Sequence, residues 1–470
     1  MPGSSEGPSA TRPVGSSPVT LRAPSYWLEA PGFSPCPALT ADRMADVAII
    51  GGGVTGLWSA IHLAEAAPQL RIVVLEAQTA GFGASGRNGG FAMTMIGRNL
   101  HDLVRKVGRQ QARLLHLHMV KTLAEIEDFC QQEVIEVNLS RPGLLTVSNG
   151  PEQDCRIEQD LRAASMLGLT DFRPLSKDEC RQMVAAEAVR MGHFETNALL
   201  VDPAALVRGL RDAALRRGIA VYEQTPAIRL RSRDGDLRVE TPQGSVEAKQ
   251  VVIATNAYGQ VVPALRRYLF TVCAYITLTE RLSPEQWRRV GGEARMGIED
   301  KRIMPHFHRP TPDGRILWGG RDAPLLAGPP NPRRDKDQRI FARLEESFRW
   351  TFPTLGDLAI EHAWGGPVCG TVSCIPKVGW LRRSRILFAL GYSGHGVGPS
   401  ALVGKTVRDL LLGRTSELTQ LPIVTRPLTP LPPGPLRGPL LSASQRILQR
   451  ADDRSGGRDA LSRLALRFLQ

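Results

Sequence analysis

Residues 47–56 read Val47-Ala48-Ile49-Ile50-Gly51-Gly52-Gly53-Val54-Thr55-Gly56, and the next apolar run, Ile72-Val73-Val74-Leu75, ends in an acid, Glu76. The first run suits a buried parallel strand. Gly51, Gly53 and Gly56 give the G-x-G-x-x-G spacing. Gly51 allows a tight turn out of the strand, and Gly53, lacking a Cβ, lets a pyrophosphate approach the backbone. Gly56 lets a helix over 54–66 lie close to the sheet. Val54 and Thr55 open that helix and offer its free N–H groups and positive dipole end to phosphates. Glu76, at the end of the second strand, is placed to accept hydrogen bonds from a ribose 2′-hydroxyl, and a carboxylate there disfavours a 2′-phosphate. The pattern calls for FAD or NAD rather than NADP. A bare βα turn without a ligand leaves Glu76 unexplained.

A chain of 470 residues is expected to hold two domains. Hydrophobic content of 42% and charged content of 22% are those of an ordinary soluble protein. No apolar run approaches the ~20 residues that span a bilayer. Residues 1–24 are rich in Ser, Pro and Gly without an apolar stretch, so the sequence reads as a disordered leader and not as a secretory signal. The cysteines number seven, with no C-x-x-C pair. That argues against a disulfide framework or zinc site and for a reducing cytoplasm. The net charge of +13 comes from arginines spread along the chain, as at Arg216-Arg217 and Arg333-Arg334. A nucleic-acid interface would concentrate them on a stripe with interleaved aromatics, so no nucleic-acid partner is expected.

After Glu76 comes a glycine-rich loop, Gly81-Phe82-Gly83-Ala84-Ser85-Gly86-Arg87-Asn88-Gly89-Gly90. It is too glycine-rich for a regular element, and its one charge, Arg87, is poised for a phosphate or a carboxylate. Apolar residues from Leu103 to Phe129 recur at helical spacing over 100–132. Residues 143–147 suggest a strand and 151–167 a helix. Asp202-Pro203 and Gly218 bracket another helix as N-cap, first turn and C′ position. Residues 219–253 read as strands separated by turns at Asp234-Gly235 and Gln243-Gly244. Strands and a charged helix near 336–349 follow. Ile386–Leu390 is a further buried strand, feeding a second glycine-rich loop, Gly391-Tyr392-Ser393-Gly394-His395-Gly396-Val397-Gly398, and a helix over 399–412. The prolines between Pro427 and Pro439 exclude a helix there, and 441–451 and 457–469 show amphipathic spacing.

These segments, in this order, resemble the FAD-dependent D-amino-acid-oxidase-like superfamily, most closely its γ-glutamylputrescine oxidase-like flavoproteins. The block Ser85-Gly86-Arg87-Asn88-Gly89-Gly90 looks like the loop over the flavin pyrophosphate and ring. Val252–Ala257, including Ala254, looks like the mid-chain strand at the cofactor. Arg309 to Arg321 resembles a strand pair lining the substrate side. Trp364-Gly365-Gly366 with Pro376–Gly379 resembles the late motif beneath the flavin, and Gly394-His395-Gly396 the C-terminal flavin-binding turn. The resemblance implies a mixed α/β (α+β) fold. It comprises a Rossmann-like FAD-binding domain from 41–98, 196–260 and 355–425, and a discontinuous, mostly antiparallel-sheet substrate domain from 99–195 and 261–354. Residues 426–470 form a proline-rich connector and a C-terminal helical extension. Backbone at Ala227 is implied to approach the adenine. Pro367-Val368-Cys369 stands where glycine and D-amino-acid oxidases carry a carboxylate-binding arginine, which moves the expectation from α-amino acids towards amines. Ser373 replaces an aspartate common in the subgroup. Cys369 and Cys374 do not match the cysteine that sarcosine oxidases bond to flavin, so FAD is expected to be non-covalent.

The expected reaction is oxidation of a small-molecule amine or amino-acid-like substrate to an imine by hydride transfer to flavin N5, with oxygen or another acceptor taking the electrons. The amine must be neutral, oriented and shielded from water. Donors at the turn Gly394–Val397 are suited to the charge that develops on the reduced ring, with either the ring or only the backbone of His395 taking part. Alternation puts His306 and His308 on one strand face. His308 has a possible pocket role, and no further ligands give the pair metal-binding spacing. Arg309 and Arg321 are candidates to hold an anionic tail of the substrate. The alternatives are a flavoenzyme oxidising a C–O bond in specialised metabolism and a redox-silent FAD-binding protein. An NAD-dependent dehydrogenase leaves the second glycine-rich loop and Trp364 without a role.

Overall fold

The strand Arg43–Ile50 lies in the middle of a sheet because both of its neighbours are equally apolar. Val47 to Ile50 pair in parallel with Gln250 to Ile253 on one side and with Ile72 to Leu75 on the other. Strands buried on both faces read as continuous apolar runs. The computed structural model of the chain describes residues 25–29, 32–233, 235–291, 295–381, 384–424 and 428–453. The expected leader at 1–24 and the helical spacing at 457–469 lie outside the described residues.

The first sheet has the order Lys377–Trp380, Ile386–Leu390, Gly244–Ile253, Arg43–Ile50, Ile72–Leu75, Ala220–Tyr222, with Asp236–Thr241 and Arg229–Arg233 added as antiparallel strands beside Gly244–Ile253. Helices Val54–Ala66, Pro203–Arg216 and Val397–Leu411 cover this sheet through one apolar core that includes Trp58, Leu206 and Leu402. The first and last of these helices cross closely at Gly404, where a Cβ would stand 2.9 Å from the carbonyl carbon of Trp58. The helical pattern over 100–132 is two helices, Leu100–Val107 and Arg109–Gln132, because Gly108 takes a left-handed φ of 83° between them.

The second sheet is mostly antiparallel. Its order is Leu325–Leu326, Phe270–Thr279, Ile316–Gly320, His306–Pro310, Gly297–Asp300, Leu144–Ser148, Met191–Glu195, Phe172–Leu175. Ile360–Gly370 pairs with the other edge of Phe270–Thr279. That strand falls within the segment expected to build the cofactor domain, yet its hydrogen bonds are to the second sheet.

The proline-rich stretch departs from expectation. A helix runs over Gly434–Asp453 and contains Pro435 and Pro439. Pro435 occupies the first turn, whose N–H groups lack helical partners in any case. Pro439 gives up one backbone bond, and burial of Leu441 and Leu448 offsets that loss. Near the end of this helix the buried Asp452 accepts hydrogen bonds from the N–H groups of Ile303 (2.9 Å) and Met304 (3.2 Å), and pairs with Arg156 at 2.9 Å. The last described turn is thereby fastened to the 301–304 segment of the second sheet.

Candidate cofactor lane and substrate chamber

The glycine turn is fixed by what surrounds it. Gly51 has a φ of 114°, and a Cβ there would lie 2.6 Å from the carbonyl oxygen of Ala254. A Cβ on Gly56 would lie 2.0 Å from the Gly51 carbonyl oxygen, so helix and strand touch backbone to backbone. Gly53 leaves bare backbone facing Ser85, whose Oγ would be 2.7 Å from an added Cβ and accepts the Val54 N–H at 3.1 Å. Glu76 accepts the N–H groups of Gly52 (2.8 Å) and Gln78 (2.9 Å). Burial raises its pKa, and these two amides oppose the rise. Each of its oxygens keeps acceptor capacity beyond one backbone bond. The segment carrying Ala227 runs alongside: the Thr225 N–H donates to the Glu76 carbonyl.

Gly53, Val54, Thr55, Ser85, Asn88 and Ala254 line a narrow lane of about 80 Å³ together with Gly394, Gly396 and Val397 of the second glycine-rich loop. The two distant loops therefore meet. Tyr392, which sequence reasoning passed over although it stands inside the quoted loop, lines the lane and accepts the Thr55 hydroxyl at 2.8 Å. Helices Val54–Ala66 and Val397–Leu411 both start here without an acid in the first turn. Bare glycine backbone, two helix starts free of acids and a carboxylate at the end of the second strand suit FAD.

The lane adjoins a chamber of about 250 Å³; Ala84, Asn88, Val368 and Gly394 line both. One face of the second sheet forms a wall of this chamber. Register puts Glu299 opposite Phe307, Phe307 opposite Gly319, and Gly319 opposite Ile276, so these share a face. The Phe307 ring lies over Gly319, 2.6 Å from where its Cβ would be, and meets Phe91 edge-on at a centroid distance of 5.5 Å. Of the four that share this face only Glu299 is polar, and sequence reasoning missed it. Its only signal was an acid next to Ile298 in the short buried strand Gly297–Asp300.

The loop 86–90 between lane and chamber is held carbonyl by carbonyl. Ser25 donates to Gly86 O (2.6 Å), Trp364 to Arg87 O (2.9 Å) and Trp27 to Asn88 O (3.0 Å). Arg309 donates to Gly89 O (3.3 Å), Gly90 O (3.1 Å) and Val201 O (2.8 Å). Gly90 must be glycine: at φ 75° its Cβ would sit 2.1 Å from Val201 O.

Several expected roles change accordingly. Arg309 is buried and spent on carbonyls; burial pushes its pKa down to about 10, so it stays charged at neutral pH. It anchors the loop and lines neither lane nor chamber. Trp364 is buried behind the same loop and lines neither cavity; its indole N–H holds the loop through Arg87 O. Arg87 lines the chamber, but its charge is met by Asp335 at 2.6 Å and its Nε by Phe82 O at 2.7 Å, leaving no free cation for a phosphate. His306 and His308 do share a face, the one turned away from Phe307. His308 stacks on Trp318 at 5.1 Å and meets Phe352 edge-on. Burial pushes its pKa down to about 3, and it is a packing residue remote from the chamber. Arg321 does line the chamber, and also an outer groove with Arg343 and Trp350. His395 lines the chamber, with burial pushing its pKa down to about 4. Among the described residues no group of three or more His, Cys, Asp or Glu could hold a metal ion.

Residues 46–410 match the family described as "FAD dependent oxidoreductase". The chain is 31% identical over 398 residues to the γ-glutamylputrescine oxidoreductase of Escherichia coli, covering 84% of this chain and 90% of that one. It is 31% identical over 419 residues to a probable oxidoreductase, OrdL, of Rhizobium meliloti, covering 87% and 93%. Among solved structures, glycine oxidase from Geobacillus kaustophilus superposes with a TM-score of 0.69 at 22% identity, over 82% of this chain and 100% of that one. With lane, chamber and these likenesses together, the chain belongs to the family of FAD-dependent oxidoreductases of the D-amino-acid-oxidase type.

Proposed function

We propose that this enzyme oxidises the C–N bond of a small amine to an imine, which water then hydrolyses. The observation that carries the reading is the adjoining of the glycine-lined lane to a mostly apolar chamber. FAD, when bound, supplies the two-electron acceptor, taking hydride at N5 from the carbon next to the nitrogen.

The chain's own residues supply the rest. Gly53, Val54, Thr55 and Ser85 would hold the pyrophosphate, Glu76 the ribose, and backbone near Ala227 the adenine. Asn88 and Gly89 would border the ring end, and the amides of Gly394 and Gly396 would face its developing charge, the His395 N–H being donated to Tyr392 O at 3.0 Å. Phe91, Phe307 and Ile276 exclude water from the carbon that loses hydride. His395, neutral in this setting, adds no positive charge to repel a protonated amine. Arg321, at the boundary with the outer groove, is suited to an anionic tail on the far end of the substrate. Pro367-Val368-Cys369 supplies no carboxylate-binding cation beside the ring, which favours amines over α-amino acids.

Non-covalent attachment is supported by the absence of cysteine from the residues lining lane and chamber. Among the described residues no helix is long and apolar enough to cross a membrane. All seven thiols are free, which accords with a cytoplasmic, reducing setting. The test is the yellow protein mixed anaerobically with amines, diamines and γ-glutamyl amines. Bleaching of the flavin bands is the expected result, and peroxide release in air then distinguishes oxygen from another acceptor. A protein that stays yellow with every amine contradicts the reading.

A further inference from the structure

The chamber's wall holds a single carboxylate, and its surroundings specify its charge. Glu299 is buried and borders the chamber. Its nearest hydrogen-bond partner is the Thr146 hydroxyl, at 3.4 Å, a weak contact. Lys301, two residues along, is committed to Asp160 at 2.6 Å. No cation among the described residues forms an ion pair with Glu299.

Of the charged groups around it none is an ion-pair partner among the described residues: Arg87, across the chamber, is met by Asp335, and Arg321 borders both the chamber and the outer groove. Lys301 and Asp160, the latter on the helix Pro151–Leu167, cancel. Asp300 points to the opposite face, where Arg302 and His306 meet it. On the strand Met191–Glu195, burial keeps His193 neutral by pushing its pKa down to about 4, and raises Glu195 to about 7. His395 is neutral, and Arg98 on the far side donates to Ser373 O. A buried, unpaired carboxylate is costly unless a cation arrives or it protonates.

We infer that Glu299 is the binding site for the cationic nitrogen of the substrate, so that the enzyme selects alkylammonium ions with an apolar or neutral chain next to the reacting carbon. This rests on the amine-oxidation reading and names its substrate class. The ammonium docks as an ion pair. One proton then passes from the R–NH3+ nitrogen to the Glu299 carboxylate, giving R–NH2 and the carboxylic acid, with no electrons moved. The amine so formed has the lone pair that C–N oxidation requires. Burial already raises the carboxyl's pKa, against the pull of Lys301, in the direction that proton acceptance needs.

The test is calorimetric titration of the FAD-loaded protein with butylammonium chloride and, separately, butan-1-ol. Glu299→Gln is expected to weaken ammonium binding about tenfold or more while leaving the alcohol unchanged, with Glu299→Asp in between. Ammonium binding to the unmutated protein is expected to weaken as the medium goes from about pH 8 to about pH 4, as the carboxylate is lost. This second measurement stands even if Glu299→Gln does not fold. Equal binding of the ion by Glu299→Gln and the parent, no preference for the ion over the alcohol, or a flat pH series each overturns the inference. If amines never bleach the flavin while ammonium binding still depends on Glu299, the oxidation reading fails and the site stands. Bleaching indifferent to Glu299→Gln has the reverse meaning.

Discussion

Replacing Arg309 by methionine keeps most of its volume and removes its donors. The structure places that loss on the loop and not on the substrate. Three carbonyls, Gly89 O, Gly90 O and Val201 O, lose their guanidinium partner, and Nε no longer meets Pro310 O at 3.1 Å. The bonds at 2.8 and 3.1 Å to Val201 and Gly90 are the well-formed ones within the fold. Gly90 O keeps the Val201 N–H at 2.9 Å, so Val201 O is the acceptor left without a partner, which costs about 1–3 kcal/mol. The guanidinium also lies over the Trp27 ring, 5.5 Å from its centroid, and Trp27 holds the neighbouring Asn88 carbonyl. Loosening is therefore expected to spread along 86–90 and into the lane. Urea unfolding followed by tryptophan fluorescence, with released FAD read by its own emission, should show an earlier midpoint and a weaker hold on FAD. An Arg309→Met enzyme with unchanged midpoint, full FAD and only a raised KM for amines would refute the anchor and restore a substrate role.

Gly53→Val should give a folded but colourless protein, because its side chain enters the lane against Ser85 while the helix start remains; circular dichroism and bound-FAD absorbance check the two halves separately. For His308→Phe the sign follows from a folded pKa of about 3 against an ordinary value near 6.5. The neutral ring's contribution is present above about pH 6.5 and lost as pH falls towards 3. The variant should thus lose about 1–2 kcal/mol less than the parent between about pH 7 and about pH 5, and its pH–rate profile should not move. Matching urea midpoints for both proteins at the two pH values would contradict this. Asp335→Ala should destabilise the loop by leaving the Arg87 charge without its carboxylate, seen as a lower melting temperature that Asp335→Glu partly restores.

Local signals carried much of the cofactor side. The turn at Gly51–Gly56, the acid Glu76 and the helix behind Asp202 each depend on residues a few positions apart, which a single sequence displays. The substrate side depends on which face of a strand meets which layer. Alternation correctly grouped His306 with His308, but nothing local says that their face looks away from the chamber while Phe307 looks into it. That choice is made by the pairing of Phe307 with Glu299 and Gly319, residues far from the glycine loops. Arg309 misled for a related reason. A basic residue near a site has the same appearance whether it waits for a substrate or is consumed by backbone carbonyls from Gly89 and Val201. The proline rule failed at 434–439 because position within the helix, and burial of Leu441 and Leu448, outweighed composition.

The grip of Asp452 on the amides of Ile303 and Met304 makes part of the reaction vessel's lining depend on the far end of the polypeptide. Trimming the tail back past Asp452 would spare both glycine turns. Such a shortened enzyme should stay yellow while becoming leaky and indiscriminate, so colour alone is a poor certificate of an intact catalyst.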